Sequence, residues 1–338
     1  MRILLTGGAG YIGTHTAVEL VDTGHDVVIV DNLINSRASA VTRVAAITGR
    51  PIPFHVADLR DTERLARIFA GEQPDAVIHL AGLKAVGESV AKPGLYYDTN
   101  INATLSLLGV MRETGVRKLI FSSSATVYGD PAELPLTEES RTGVGIPSPY
   151  GWTKFMIEQI LRDEVVATPD WEFSVLRYFN PVGAHESGMI GEDPAGVPNN
   201  LMPFIAQVAA GRRPMVNVFG DDYATGDGTG VRDYIHVMDL AAGHVAALDR
   251  IQPGWHAFNL GTGRPASVLE LIEAFGEVIG RPIPYRIVPR RPGDLAVTYC
   301  SPARAGEELG WTASRTILDA CRDSWRWQSA NPEGYPSD

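Results

Sequence analysis

Short apolar runs alternate with longer amphipathic stretches along the first 180 residues. Runs of strand length fall at 2–6, 26–30, 55–59, 76–82, 118–124 and 173–178. Runs of this length, bounded by turn residues, read as buried strands. Between them apolar positions recur with helical spacing around 61–70, 94–114 and 150–166, and Val18, Leu20 and Val21 mark a further helix after residue 13. Strand and helix in alternation predict an α/β fold with a doubly wound parallel sheet. From about 181 the alternation weakens, and glycine- and proline-rich loops separate shorter elements. The expected organisation is a first domain over 1–180 and a smaller mixed α/β lobe over 181–338, with an interleaved boundary and some exchange of segments.

The turn after the first run is Gly7-Gly8-Ala9-Gly10-Tyr11-Ile12-Gly13. Its glycines fit both G-x-G-x-x-G (Gly8, Gly10, Gly13) and G-x-x-G-x-x-G (Gly7, Gly10, Gly13). Between a strand and a helix this is a dinucleotide fingerprint of the Rossmann type: glycine admits the pyrophosphate, and the helix N-terminus offers it N–H groups. Asp31 ends the second run 18 residues past Gly13, the right distance to accept from the adenosine ribose hydroxyls. An acid there repels a 2′-phosphate, so NAD is favoured over NADP; the nearby Arg37 reads as a surface residue. Ligands of such sheets bind outside the C-terminal strand ends, and Gly10, Asp31, Asp58, Gly82 and Ser124 all fall there. On this reading 1–180 binds NAD and 181–338 closes over the substrate.

Tyr150 and Lys154 are four residues apart in a helical stretch, 26 and 30 residues after Ser124. That spacing sets both side chains on one helix face. A phenol with a pKa of about 10 is a poor base at neutral pH, and a nearby cation favours its charged form. The pair is a candidate general base, although Tyr-x-x-x-Lys also arises by chance.

The formal net charge of −11 argues against nucleic acid or an anionic membrane as partner, while leaving room for an anionic small molecule at a local arginine cluster. Cys300 and Cys321 form no short-spaced pair, the histidines, His236 and His244 among them, show no ligand spacing, and no metal is expected. Met1 leads at once into an apolar run with no leader-like basic region, and no run approaches a membrane span. A reducing cytoplasm is the expected home. Trp325-Arg326-Trp327-Gln328 reads as packing for a final helix.

Four longer strings carry a family resemblance: 81–89 (AGLKAVGES), 122–129 (SSSATVYG), 176–184 (LRYFNPVGA) and 228–237 (GTGVRDYIHV). With Ser124, Tyr150 and Lys154 they resemble the extended short-chain dehydrogenase/reductase family, and within it the branch of UDP-galactose (UDP-glucose) 4-epimerases, from Met1 to the closing Gly334-Tyr335-Pro336. Related dehydratases and decarboxylases carry carboxylates beside the serine position. Here Ala125, Thr126 and Val127 follow Ser124, so neither elimination nor decarboxylation has its acid or base.

The resemblance implies reversible inversion at C4 of UDP-galactose and UDP-glucose through a 4-keto intermediate, with tightly bound NAD, in galactose metabolism. It makes Tyr150 the base, Lys154 the residue that holds the nicotinamide ribose and lowers the phenol pKa, and Ser124 the proton relay. It places Gly7, Gly10, Tyr11, Ile12, Gly13, Asp31, Asn32, Asn35, Ser36, Asp58, Leu59, Leu80, Ala81, Gly82, Lys84, Thr99, Asn100, Ser122, Tyr178 and Phe179 along the cofactor. Asn-Asn is common in the family where this chain has Thr99-Asn100. For the nucleotide sugar it implies Lys84, Ser124, Tyr150, Asn180, Asn200, Leu201, Asn217, Phe219, Arg232, Tyr234, Arg291, Asp294 and Thr298. Arg232 and Arg291 would hold the diphosphate, although composition alone would leave both as solvated surface charges. A small residue at Thr298, with tyrosine one place later at Tyr299, implies room for an N-acetyl group and some activity on UDP-N-acetylglucosamine. The resemblance also implies a homodimer through the helices near 94–114 and 150–166. Two alternatives stand beside it. One is a related nucleotide-sugar epimerase of different preference. The other is a non-catalytic NAD sensor, which would usually lack the Tyr-Lys pair present here.

Overall fold

The computed structural model describes residues 1–194, 196–291 and 293–336. Six strands of the N-terminal half form as the apolar runs predict: β1 (Arg2–Thr6), β2 (Asp26–Asp31), β3 (Phe54–Val56), β4 (Ala76–His79), β5 (Lys118–Ser124) and β6 (Glu172–Tyr178). Every pair in their sheet is parallel, and the order is β3-β2-β1-β4-β5-β6 with a seventh strand, Gly254–Leu260, beyond β6. The apolar pattern carried no forecast of that last strand, which lies beyond residue 181.

Two runs are longer in sequence than in the sheet. The third stops at Val56 because Asp58 turns the chain: its carboxylate accepts from the Arg60 N–H at 2.9 Å and from the Arg60 side chain. The fourth stops at His79 because Ala81 lies against the glycine turn and Gly82 has φ of 158°. Both ends lie on the ligand side of the sheet, where the ladder gives way to loops.

Alternate strand residues separate two helical layers. Ile3, Leu5, Ile29, Ile78, Ile120 and Leu176 pack toward α1 (Tyr11–Asp22), α2 (Ala38–Thr48) and a helix at Val237–Asp249. Leu4, Val77, Leu119, Phe121, Phe173 and Val175 pack toward α3 (Thr62–Glu72) and, after the short α4 (Val86–Ala91), toward α5 (Pro93–Thr114) and α6 (Pro149–Ala167). Each fully buried aliphatic or aromatic side chain contributes about 1.5–3 kcal/mol, which makes this double-faced sheet the main apolar reservoir.

The remaining chain builds a third apolar cluster around Met202, Ile205, Ile272, Phe275 and Cys321, from α7 (Leu201–Ala209), α9 (Val268–Ile279) and α10 (Ile317–Ala330), with the Val237–Asp249 helix as α8. Short strands frame it: Val216–Phe219 pairs with Tyr285–Val288, and Val231–Arg232 lies between Ala266–Ser267 and Val297–Thr298. The strand order reverses between β1 and β4, which opens the crevice where ligands of such sheets bind.

Candidate active site

The glycine turn is built for close approach. Gly7 has φ of 70°, and a Cβ there would stand 2.7 Å from the Ala81 nitrogen in the loop just after β4. A Cβ on Gly13 would stand 2.5 Å from the Gly7 carbonyl oxygen, so α1 begins hard against the turn with Gly10 as its N-cap. Asp31 is buried behind this turn, accepting from Ala9 N at 3.1 Å, Leu33 N at 2.8 Å and Ser36 Oγ at 2.8 Å. Asn32 donates to Asp58 at 3.2 Å, and hydrogen bonds from Arg60 hold the Asp58 carboxyl down at about 2. Asn35 is exposed on the same turn, and Ile12 and Leu80 are half-buried. Leu59 is buried in the core layer. Tyr11 donates to the Gly183 carbonyl at 2.7 Å, tying the turn to the second half of the chain.

Asn100 faces inward, with Thr99 half-exposed before it. Its Oδ1 accepts from Leu83 N at 2.8 Å, and its Nδ2 donates to Leu83 O and Thr153 Oγ1, both at 3.1 Å. The amide thus props the loop after β4, where Gly82 approaches its Oδ1.

The three candidate catalytic residues meet at the end of β5. Ser148 caps α6 by accepting from Gly151 N, and Pro149 occupies the first turn, where its missing N–H costs nothing. Tyr150 is therefore delivered at the helix mouth, and Lys154 one turn deeper. Tyr150 is partly open to the crevice, yet desolvation pushes its phenol above the ordinary value; the Ser124 hydroxyl, hydrogen-bonded to it, pulls the other way. Lys154 is buried, donates to the Ser122 carbonyl at 2.6 Å, and stands 5.9 Å from the centre of the Tyr150 ring. Burial lowers its pKa to about 8, against the pull of Glu158 one turn further on. Lys154 donates to the strand rather than to the phenol, so the effect expected of it on Tyr150 would act through space, against the desolvation that raises the phenol. Tyr178 lies beside Ser124 in the strand register, its hydroxyl bonded to His244 Nε2. Phe179 is buried with Val127, Tyr128, Leu136 and Cys300. Through that cluster the end of β5 shares its packing with the segment that carries Thr298.

On the lobe side, Arg291 Nε donates to Asp294 Oδ2 at 3.0 Å, and an Arg232 guanidinium nitrogen lies 3.8 Å from Asp294 Oδ1. Arg291 also stacks over Phe219 at 4.5 Å. Tyr234 is buried, its phenol raised by desolvation while both arginines oppose. Thr298 pairs with Arg232 in the parallel register and is half-buried. Asn217 accepts from Arg286 at 2.7 Å. Asn180 is exposed in the strand Asn180–Val182, and Leu201 opens α7 directly after Asn200. The structure thus gathers Phe219, Arg232, Tyr234, Arg291, Asp294 and Thr298 into one neighbourhood.

A family model for the NAD dependent epimerase/dehydratase family matches residues 3–261. The chain belongs to this family. Among its relatives, the UDP-glucose 4-epimerase of Pasteurella multocida is 56% identical over 99% of both chains. That of Bacillus subtilis is 56% identical over 100% of this chain and 99% of its own. A solved UDP-glucose 4-epimerase from Bifidobacterium longum, in complex with NAD+ and UDP, matches with a TM-score of 0.97 at 56% identity, covering 99% of this chain and 100% of that one. The UDP-Glc/GlcNAc 4-epimerase of Campylobacter jejuni matches at a TM-score of 0.84 and 36% identity, covering 97% and 99%. The cradle fits the family's cofactor on its own geometry: side chains at Gly7 and Gly13 would fill it, a helix N-terminus faces it, and a buried acid, Asp31, lies behind the turn at the end of β2.

Three residues of this family member escaped the sequence reading. Glu158 and Arg177 form a buried bidentate pair under the site, with Arg177 Nε to Oε1 at 3.0 Å and Nη2 to Oε2 at 2.7 Å. Glu158 lies four residues after Lys154, a spacing that would have flagged it. Glu192 takes up Lys84 and Asn200, and nothing in its local sequence, Gly191-Glu192-Asp193, marks it out.

Proposed function

We propose that this chain interconverts UDP-galactose and UDP-glucose by inversion at C4, with NAD retained through turnover. One observation carries the reading: Tyr150, Ser124 and Lys154 converge at the end of β5, on the ligand side of the sheet, without a carboxylate at residues 125–127. Bound NAD would accept the C4 hydride and return it to the opposite face of the 4-keto sugar. Gly7, Gly10 and the N-terminus of α1 would hold its pyrophosphate, Asp31 the adenosine ribose, and Lys154 the nicotinamide ribose. Tyr150 takes the proton from the 4-hydroxyl, and Ser124 holds the reacting oxygen and supports the phenolate. Because burial raises the phenol, positive charge near Tyr150 favours its base form; Lys154 would supply part of it, and the cationic nicotinamide ring of bound NAD would add to it. Lys154, with its pKa near 8, keeps its own charge at neutral pH. Arg232 and Arg291 present paired N–H donors suited to a diphosphate. Such an arrangement grips the nucleotide and leaves the sugar free to turn over between the two hydride steps.

Thr298 beside Arg232 supports a wider sugar range that includes UDP-N-acetylglucosamine. Exposed Leu95 and Leu105 on α5, with Met156 and Val166 on α6, support assembly as a homodimer through those helices. Among the described residues no helix is long and apolar enough to cross a membrane.

The test is incubation of the purified protein with UDP-galactose, without added NAD, followed by NMR of the sugar. A stable mixture with UDP-glucose supports both the reaction and the retained cofactor. No conversion, even with NAD supplied, overturns the reading.

A further inference from the structure

Glu192 is a half-buried acid whose carboxylate joins the two sides of the crevice. One oxygen, Oε1, accepts from Lys84 Nζ at 3.1 Å and from Asn200 Nδ2 at 2.7 Å. Lys84 belongs to the loop after β4 and stands 5.9 Å from the centre of the Tyr11 ring on the glycine turn. Asn200 belongs to the lobe, at the N-cap of α7. An asparagine there ordinarily caps its own helix, but this side chain makes no cap bond and is given to Glu192 instead. The charge of Glu192 also helps raise the Tyr11 phenol, which places it close to the turn.

The segment carrying Glu192 is braced from behind. Asn331 donates to the Gly188 carbonyl at 3.0 Å, and Tyr335 N donates to Asp193 Oδ2 at 2.9 Å. A Cβ on Gly191 would stand 2.3 Å from the Trp327 ring, so the segment lies flat on α10. Arg43 of α2 donates both to the Met189 carbonyl at 2.8 Å and to Asn331 Oδ1 at 2.7 Å. The last residues of the chain therefore set where Glu192 stands.

Lys84 is largely exposed, so its ion pair with Glu192 contributes little to folding. We propose that Glu192 is a positioning residue. It fixes Lys84 on the cofactor side and Asn200 on the nucleotide side, with the C-terminal residues as its backing. The inference rests on the proposed roles of Lys84 and Asn200 toward NAD and the UDP-sugar.

The experiment uses the holoenzyme and two readouts that need no turnover: affinity for UDP by calorimetry, and the rate at which bound NAD is lost on dilution. Glu192→Ala is expected to weaken UDP by about three- to tenfold, the scale of one net hydrogen bond, and to speed NAD loss. Asn200→Ala should cost less in the Glu192→Ala background than in the native one, because its partner is already gone. Glu192→Gln, of nearly equal shape, keeps an acceptor for Asn200 and loses the charge facing Lys84. It should hold UDP affinity while still speeding NAD loss, which keeps the test decisive where the alanine variant folds poorly. Native UDP affinity and native NAD retention in both variants would overturn the inference, as would additive losses in the double variant. A native protein that binds NAD and UDP but leaves UDP-galactose unchanged would sink the epimerase reading and leave this cycle interpretable.

Discussion

Lys154 gives its hydrogen bond to the Ser122 carbonyl at 2.6 Å and stands 5.9 Å from the centre of the Tyr150 ring. One helical turn brings the two residues together, yet the ammonium is anchored on the strand rather than on the phenol. The lysine is thereby fixed at the end of β5, where on the proposed reading it would serve the nicotinamide ribose. Ser124, hydrogen-bonded to Tyr150, is the neighbour that lowers the phenol directly, and Lys154 faces the ring without a hydrogen bond to it. On the proposed mechanism, a bound oxidised cofactor would add to the charge that favours the phenolate, which would couple proton abstraction to the presence of a hydride acceptor.

Removing the phenol oxygen should therefore separate binding from chemistry. Tyr150→Phe keeps the ring and its packing. NAD content per chain should match the native protein, while turnover of UDP-galactose falls by about 10²–10⁴-fold, the usual range for a lost general base. Near-native turnover would remove Tyr150 from the mechanism.

Acid should destabilise the fold through its buried histidines. Burial lowers His15 and His79 to about 3 and His244 to about 4, from 6.5 in the unfolded chain. Between those values the unfolded chain binds protons that the native state does not, so stability falls as pH drops below 6.5. At pH 5 each such histidine costs on the order of 2 kcal/mol, a large share of a typical stability of about 5–15 kcal/mol. Glu19 and Glu138, raised by burial, act weakly the other way. The urea midpoint should drop clearly between pH 7 and pH 5, and a flat profile would count against neutral buried rings.

The Glu158–Arg177 pair beneath the site should behave as a buried ion pair. Arg177→Met leaves Glu158 charged in the core, with Ser123 at 2.6 Å still donating to it, at a cost of about 3–5 kcal/mol. Replacing both partners with apolar residues of similar volume should recover most of that loss in urea unfolding. Glu158 also supports the charge on Lys154, so the double variant should lose activity at lower pH than the native enzyme.

The sequence carried the N-terminal half clearly because the central strands β1, β2, β4, β5 and β6 are buried on both faces and read as largely apolar runs, while the edge strand β3 is only half-buried. Strand ends were less legible. Ala57 and Leu59 around Asp58, and Leu80-Ala81-Gly82, continue the apolar pattern while leaving the ladder, since side-chain pattern does not record where backbone bonds stop. The seventh strand, Gly254–Leu260, lies after a long lobe excursion, and only its pairing with β6 reveals its place. In the site, the glycine turn and the Tyr-Lys pair have fixed local spacing and could be read directly. Glu192 could not, because its partners lie 108 and 8 residues away and meet only in the fold.

Thr298 offers the sharpest test of substrate range. Its strand is fixed: it pairs with Arg232, and its carbonyl accepts from Asp233 N at 3.1 Å. Asp233 is itself buried and accepts from Thr262 N at 2.7 Å and Gly263 N at 3.0 Å, so the backbone has little freedom to give way to a larger side chain. A tyrosine at 298 would then extend its ring away from the strand, and on the proposed reading toward the sugar, rather than displace the strand. The native protein should convert UDP-N-acetylglucosamine as well as UDP-galactose. Thr298→Tyr should lower kcat/KM for the N-acetyl sugar by at least about tenfold, the scale expected from steric exclusion at one pocket wall, and leave UDP-galactose within about threefold. A native protein inactive on the N-acetyl sugar, or a variant that loses both substrates equally, would show that the limit on the sugar 2-position is set elsewhere.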